Sequence, residues 1–260
     1  MTQPSVTLSE HQGVRYLHLG SIWIQGAMRI HKPQQIVLDY VQRMLASLLW
    51  LPATELGKGH AVQLGLGAGA ITRFTHQKLR VRTTAVEINP QVIAACRQWF
   101  KLAPDDARLA VVAIDAAEWL AQAPPQTVQL LHVDLYDHEA AAPVLDDEAF
   151  YRACRAVLAV GGVMSVNLFG RHASFAQSAT RIAAVFGRDQ VWSLRPTREG
   201  NTVVVAGRAV HGLTREVLLA RAAGLEARFG HLGLPARKWL RMVRPFLAVE
   251  APALSENDAP

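Results

Sequence analysis

Three apolar, strand-length runs in the middle of this 260-residue chain each end on an acidic residue, and a glycine-rich turn lies just ahead of them. Residues 83–86 run into Glu87, 109–114 into Asp115 and 128–133 into Asp134; before them, 62–64 run into Gly65-Leu66-Gly67-Ala68-Gly69. In an open parallel sheet all strands deliver their carboxyl ends to one edge, where ligands bind. Four consecutive tips therefore meet at one crevice. A glycine turn admits backbone close to a ligand, and an acid ~20 residues later suits a ribose diol. Two further acids suit an adenine amine and a reacting nitrogen.

The rest of the chain fits around that crevice. Strand-like and helical patterns alternate from residue 61 to 186: strand 61–64, helix 70–78, strand 83–88, a helix capped by Asn89 with Pro90 in its first turn, strand 109–114, helix 116–121, strand 128–133, helix 147–158, strand 163–168 after a Gly161-Gly162 turn, and helix 174–186. Strands 190–194 and 202–206 are separated by too few residues for a helical crossover, so they are expected to pair antiparallel. The predicted fold is α/β, a mostly parallel seven-stranded sheet whose last strand is antiparallel, and this arrangement resembles the Rossmann-like class I S-adenosylmethionine-dependent transferase fold. Ahead of it, 6–8, 14–19 and 22–30 read as a small antiparallel β module, and apolar residues from Ile36 to Leu49 recur at helical spacing between Pro33 and Pro52. The expected division is 1–52 for the β module and its following helix, 53–209 for the catalytic nucleoside-binding domain, and 210–260 for a basic extension. Within the last, 211–244 read as one or two amphipathic helices and 251–260 as a frayed tail.

Half of the residues are hydrophobic and 18% are charged, a globular balance. No apolar run reaches the ~18 residues of a membrane span, and the N-terminus has no export-signal pattern. Two cysteines, Cys96 and Cys154, both in helical patterns, fit a reducing cytoplasm. The formal charge of +6 raises the possibility of an anionic partner, but the late arginines are interleaved with Leu and Ala and lack a series of stacking aromatics. A solvated helix face is the simpler reading, and no nucleic-acid partner is expected. Ten histidines without metal-type spacing, and no Cys-x-x-Cys, predict no metal.

Each site residue carries a functional and a structural reading. Gly65, Gly67 and Gly69 would let a nucleoside approach the backbone, or merely turn a strand into a helix. Glu87 would take both ribose hydroxyls, or supply charge to a helix N-terminus. Asp115 would accept from the adenine amine with the Ala116 N–H serving the ring, or cap the next helix. Asp134 and Asp137, with Tyr136 between them, would hold and deprotonate an ammonium nucleophile, or form a solvated acidic loop. His132 should face the sheet packing.

These residues resemble the polyamine aminopropyltransferases, or spermidine synthases, over about residues 14–207. The similarity rests on Gln25, the glycine turn, Ala85-Val86-Glu87-Ile88, Ile114-Asp115-Ala116, Asp134-Leu135-Tyr136-Asp137, and Phe150-Tyr151 leading to Gly161-Gly162. The resemblance implies that Gln25 and Glu87 contact the nucleoside, Asp115 the adenine, that Asp134 is the base and that Asp137 assists in binding the amine. It implies decarboxylated S-adenosylmethionine as aminopropyl donor, a putrescine-like amine acceptor, and a homodimer or homotetramer built through the N-terminal β module. Ala68 stands where that family usually carries an Asp that holds the donor's amine, and Asn167 stands where a Gln is common. The alternatives are a methyltransferase using S-adenosylmethionine, which Ala68 favours, and a non-catalytic nucleoside-binding relative.

Overall fold

The computed structural model describes residues 4–135, 145–169, 173–210 and 212–246. Strands β1 (Val6–His11), β2 (Val14–Leu19) and β3 (Gly26–Arg29) form an antiparallel sheet, the first two joined at Gln12 and Gly13, both with positive φ. Helix α1 (Asp39–Met44) tightens into a 3-10 turn, Leu45–Trp50, so the apolar spacing from Ile36 to Leu49 is shared by two helical geometries with Ile36 outside both. After it come β4 (His60–Leu64), α2 (Ala70–Arg73), β5 (Arg82–Glu87), α3 (Pro90–Trp99), β6 (Leu109–Ala113), α4 (Ala116–Gln122), β7 (Val128–Val133), α5 (Glu148–Val157), β8 (Leu158–Phe169), α6 (Ala173–Phe186), β9 (Val191–Leu194), β10 (Asn201–Ala206), α7 (Arg215–Phe229), α8 (Ala236–Trp239) and β11 (Val243–Pro245).

The large sheet runs β11-β9-β10-β8-β7-β4-β5-β6. β4, β5, β6, β7 and β8 are parallel, while β10 lies antiparallel between β8 and β9. Chain order reverses between β4 and β7, so the tips of β4, β5 and β7 open on the topological switch point. Successive residues of β4 and β7 supply opposite faces, as the two-residue strand period requires. Ala61 and Leu130 join the core of Trp50, Phe74, Phe229 and Trp239; Val62 and Leu131 join that of Leu120, Tyr151 and Ile182. A third cluster, with Leu17, Met28, Leu66, Ala85 and Phe100, binds the N-terminal sheet to the glycine turn.

Four local expectations change. Gly161 and Gly162 make no turn: β8 runs through them, with a register shift against β7 between Val128 and Leu130. A Cβ at Gly162 would lie 2.6 Å from the Val128 carbonyl oxygen, so the glycine serves a close backbone approach at a bulge. The predicted helix 70–78 is α-helical only to Arg73 and then takes a π-turn, Phe74–Leu79, ended by Arg80 at φ 62°. The strand read at 22–30 begins only at Gly26, leaving Ile22, Trp23 and Ile24 exposed. The basic extension is helical over α7 and α8, but Val243–Pro245 adds an eighth strand against β9, and Pro245, which has no N–H, sits on the outer edge where none is needed.

Candidate active site

The glycine turn is held in place from behind. Gln63 donates to the carbonyls of Gly65 at 2.7 Å and Leu66 at 3.2 Å, and is itself fixed by the Thr72 hydroxyl. The Cys96 thiol donates to the Gly67 carbonyl. The buried Arg73 guanidinium donates to the carbonyls of Ala68 at 2.6 Å and Phe100 at 2.7 Å. Burial lowers Arg73 to a pKa of about 10, which leaves it a cation at neutral pH. Four consecutive carbonyls are therefore anchored by side chains, which fixes the turn before any ligand arrives.

All three glycines have positive φ, of 85°, 51° and 67°. A Cβ at Gly65 would collide with the Asp134 carbonyl oxygen, and one at Gly67 would come within 2.8 Å of the Gln25 carbonyl oxygen. The pattern thus brings protein backbone together as well as leaving ligand space. It draws the tip of β7 and the lead into β3 onto the glycine turn.

Glu87, at the tip of β5, crosses to that turn: one carboxylate oxygen accepts from the Leu66 N–H at 3.0 Å, the other from the Asn89 N–H at 2.9 Å. Burial raises its pKa, the backbone N–H groups oppose the rise, and the charge of Asp134 adds to it. Asp115 caps α4, with one oxygen accepting from the Ala117 and Glu118 N–H groups. The capping and ligand readings do not compete, because Asp115 also lines the cleft beside Ala116, Glu87, Gly65 and Gly67. Gln25 reaches the same cleft, and its buried side-chain nitrogen has no partner among the described residues. A buried amide donor in that state is costly unless a ligand accepts from it.

Asp134 ends β7, its N–H bonded to the Leu64 carbonyl across the switch point. Asn167 on β8 donates to its carboxylate at 2.9 Å, and the Asn201 amide donates to the Asn167 oxygen at 3.1 Å. Tyr40 on α1 adds a second hydrogen bond. Burial pushes Asp134 up to a pKa of about 6, the two hydrogen bonds acting against it. A carboxylate in this state accepts a proton near neutral pH. It lies on the wall shared by the cleft and a second cavity of about 600 Å³, bounded by Trp23, Leu38, Tyr40, Phe169 and Asn201. His132, one strand turn earlier, is buried, hydrogen-bonded to Ser165 and lowered to about 4 by burial, as expected of packing.

The structure therefore brings Gln25, Gly65, Gly67, Glu87, Asp115, Ala116 and Asp134 to one cleft; Gly69 caps α2 behind it, and Tyr136 and Asp137 lie outside the described residues. Sequence reasoning missed Gln63, Arg73 and Cys96 as anchors of the turn, and Tyr40, Asn167 and Asn201 as partners of the acid chain. A polar residue inside β4 and an arginine four positions after Gly69 were the available signals.

Comparison with known proteins adds a family to the geometry. A model of the spermine/spermidine synthase domain matches residues 61–206. The chain is 34% identical over 229 residues to a polyamine aminopropyltransferase of Chromobacterium violaceum, covering 87% of this chain and 85% of that one. In fold it is similar to the crystal structure of a "probable spermidine synthase" from Corynebacterium glutamicum, with TM-score 0.71, 18% identity, and 91% and 88% of the two chains covered. It is also similar to human methyltransferase-like protein 13 in complex with SAH, with TM-score 0.65, 21% identity, and 83% and 98% covered. The last two establish the shared transferase fold. The domain match spans every strand from β4 to β10, and identity to the bacterial enzyme extends over most of the chain; on both counts this chain belongs to the spermine/spermidine synthase family.

Proposed function

We propose that the protein is an aminopropyltransferase that moves the aminopropyl group of decarboxylated S-adenosylmethionine to a primary amine. The observation that carries this reading is the position of Asp134, a partly buried carboxylate on the wall shared by the cleft of Glu87 and Asp115 and a second cavity. The nucleoside lies in the cleft, its ribose hydroxyls on Glu87, its adenine amine on Asp115 with the Ala116 N–H beside the ring, and the Gln25 amide donating to it. The amine enters from the other cavity. Its nitrogen forms a bond to the carbon next to the sulfonium, and the carbon–sulfur bond breaks with its electron pair going to sulfur. Methylthioadenosine leaves uncharged and the proton lost by nitrogen passes to Asp134. The sulfonium is already a good leaving group, so the protein supplies alignment and a proton acceptor. Tyr136 and Asp137 would complete the acceptor end, and no metal takes part.

In this reading 1–52 supply Gln25 and Tyr40 to the site, 53–209 carry the nucleoside and the base, and the described part of 210–260 braces the sheet edge through Val243–Pro245. The chain assembles as a homodimer or homotetramer through the N-terminal sheet, whose edge strand β1 is exposed along most of its length. One observation favours a second reading. Ala68 is buried against Gly26 and brings no charge to hold a donor amine or repel a donor carboxylate, which suits ordinary S-adenosylmethionine and methyl transfer. Incubation with each donor and a panel of amines separates the two. Methylthioadenosine from the decarboxylated donor supports aminopropyl transfer; S-adenosylhomocysteine as the sole nucleoside product refutes it.

A further inference from the structure

Polar side chains form a line across three strands of the large sheet, where the neighbouring positions carry Val and Leu. Asp134 at the tip of β7, Asn167 on β8 and Asn201 at the start of β10 make up the line, and Asn167 is only 4% exposed. An amide in a buried sheet position costs stability unless both of its ends are paired. Here they are: Asn167 donates to Asp134 at 2.9 Å, and Asn201 donates to the Asn167 oxygen at 3.1 Å. Asn201 is itself set by the turn between β9 and β10. Its backbone N–H donates to the Thr197 hydroxyl at 3.2 Å, its carbonyl accepts from the Thr197 N–H at 2.7 Å, and the hydroxyl approaches its side-chain oxygen at 3.5 Å. The line thus ends on a hydrogen-bonded turn.

Chemistry fixes the direction of this line. An ionised carboxylate only accepts, so Asn167 must present its NH2 to Asp134, its oxygen then faces Asn201, and Asn201 must answer with its own NH2. Were Asn167 turned over, its oxygen would meet the carboxylate and its NH2 the Asn201 donor, two repulsive contacts in place of two hydrogen bonds. The surroundings offer no substitute. Among the described residues no Lys, Arg or His lines either cavity beside Asp134, and the charged groups there are acids: Glu87, Asp115, Asp39 of α1 and Glu199 of the β9–β10 turn. His132, two residues earlier on β7, is kept neutral by burial and is engaged by Ser165. The negative form of the base is therefore stabilised by the uncharged donors Asn167 and Tyr40, so the orientation of Asn167 matters.

We infer that Asn201 is a positioning residue of the reaction: by donating to the Asn167 oxygen it keeps the Asn167 amide turned toward Asp134, and so holds the base charged and correctly aimed. It acts through Asn167 from two strands away. The inference rests on the aminopropyl-transfer reading for the role of Asp134 and adds a residue on which that role depends. No bond of the reaction changes at Asn201.

The test compares the full-length wild type with Asn201→Leu, Asn167→Leu and the double variant, nearly isosteric changes that add no charge. Two readouts are taken. One is kcat against pH for methylthioadenosine release from decarboxylated S-adenosylmethionine and 1,4-diaminobutane. The other is a 13C NMR titration of the Asp134 carboxyl, assigned by its loss in Asp134→Asn, which needs no substrate. Asn201→Leu frees Asn167 to turn over, so the acid limb and the NMR midpoint should both rise by about half a pH unit or more, while kcat at pH 7.5 falls ~10-fold and the KM for the donor stays within about twofold. The position of a limb does not depend on how much protein is folded, so instability of a variant cannot imitate the shift. The double variant should be no worse than Asn167→Leu, because Asn201 reaches the base only through it. An unmoved midpoint and limb in Asn201→Leu overturn the inference, as do additive losses in the double variant. A change confined to the KM for the amine also overturns it, by making Asn201 an acceptor contact. A raised midpoint in a protein whose wild type releases no methylthioadenosine would support the coupling of Asn201 to Asp134 while removing the aminopropyl-transfer reading.

Discussion

Replacing Asp134 by Asn should make the protein more stable and nearly inactive. The wild-type carboxyl titrates near 6 in the fold against an ordinary 3.8, because its charged form is buried. The folded state therefore holds the proton more tightly than the unfolded state, and the group lowers stability as pH rises from 3.8 to about 6. At ~1.36 kcal/mol per pH unit, the full effect above pH 6 is at most ~3 kcal/mol. Asn removes the charge and keeps an oxygen to accept from Asn167, but it loses the best partner for Tyr40, which returns ~1 kcal/mol. A net gain of ~1–2 kcal/mol is expected at pH 7.5, or a rise in Tm of ~2–8 °C. The gain should vanish below pH 4, where the wild-type group is protonated in both states. Urea denaturation of both proteins from pH 4 to 8 measures it, and kcat measured alongside should fall by ~10²–10⁴. A variant less stable than wild type at pH 7.5, or a gain independent of pH, would refute the argument from burial. Retention of full activity would refute the role as base.

Three further outcomes follow from the same geometry. Tyr40→Phe deletes a hydrogen bond that holds Asp134 down, so the acid limb of the kcat profile, near pH 6 in wild type, should move upward; a limb that stays or falls contradicts the bond. Glu87→Gln turns an amide NH2 toward a backbone N–H of Leu66 or Asn89 and weakens the grip on a diol, so titration calorimetry should show methylthioadenosine bound ~10- to 100-fold more weakly. Unchanged affinity would remove Glu87 from the ribose. Gly65→Ala drives a methyl group into the Asp134 carbonyl oxygen at φ 85°, and should cost ~2 kcal/mol or more in urea denaturation together with activity; a neutral result would show that the strand tips can separate.

The sheet and the three acids were legible because their signals are local. An apolar run ending on a carboxylate states both the strand and the position of its tip, and short connections between 190–194 and 202–206 forced an antiparallel pair. Gly161-Gly162 misled because a glycine pair reads as a turn, whereas here it permits backbone contact across a bulge. Its reason lies in the Val128 carbonyl, more than thirty residues away. The anchors of the glycine turn were hidden for the same reason. Arg73 and Cys96 sit on helices whose sequence explains them as a basic residue and a core thiol, and only folding sets them behind Ala68 and Gly67. Asp115 shows another limit: capping and ligand binding read as rivals in the sequence, yet only one carboxylate oxygen caps α4 while the residue also lines the cleft.

The central claim is that one nucleoside spans the tips of β5, β6 and β7 with its sulfur toward Asp134. A crystal structure of the protein with methylthioadenosine tests it directly. Ribose hydroxyls at ~2.5–3.0 Å from the Glu87 oxygens, the adenine amine on Asp115 and the methylthio group facing Asp134 and the cavity of Trp23 are predicted. A nucleoside bound away from Glu87, or one whose sulfur points away from Asp134, would contradict the account.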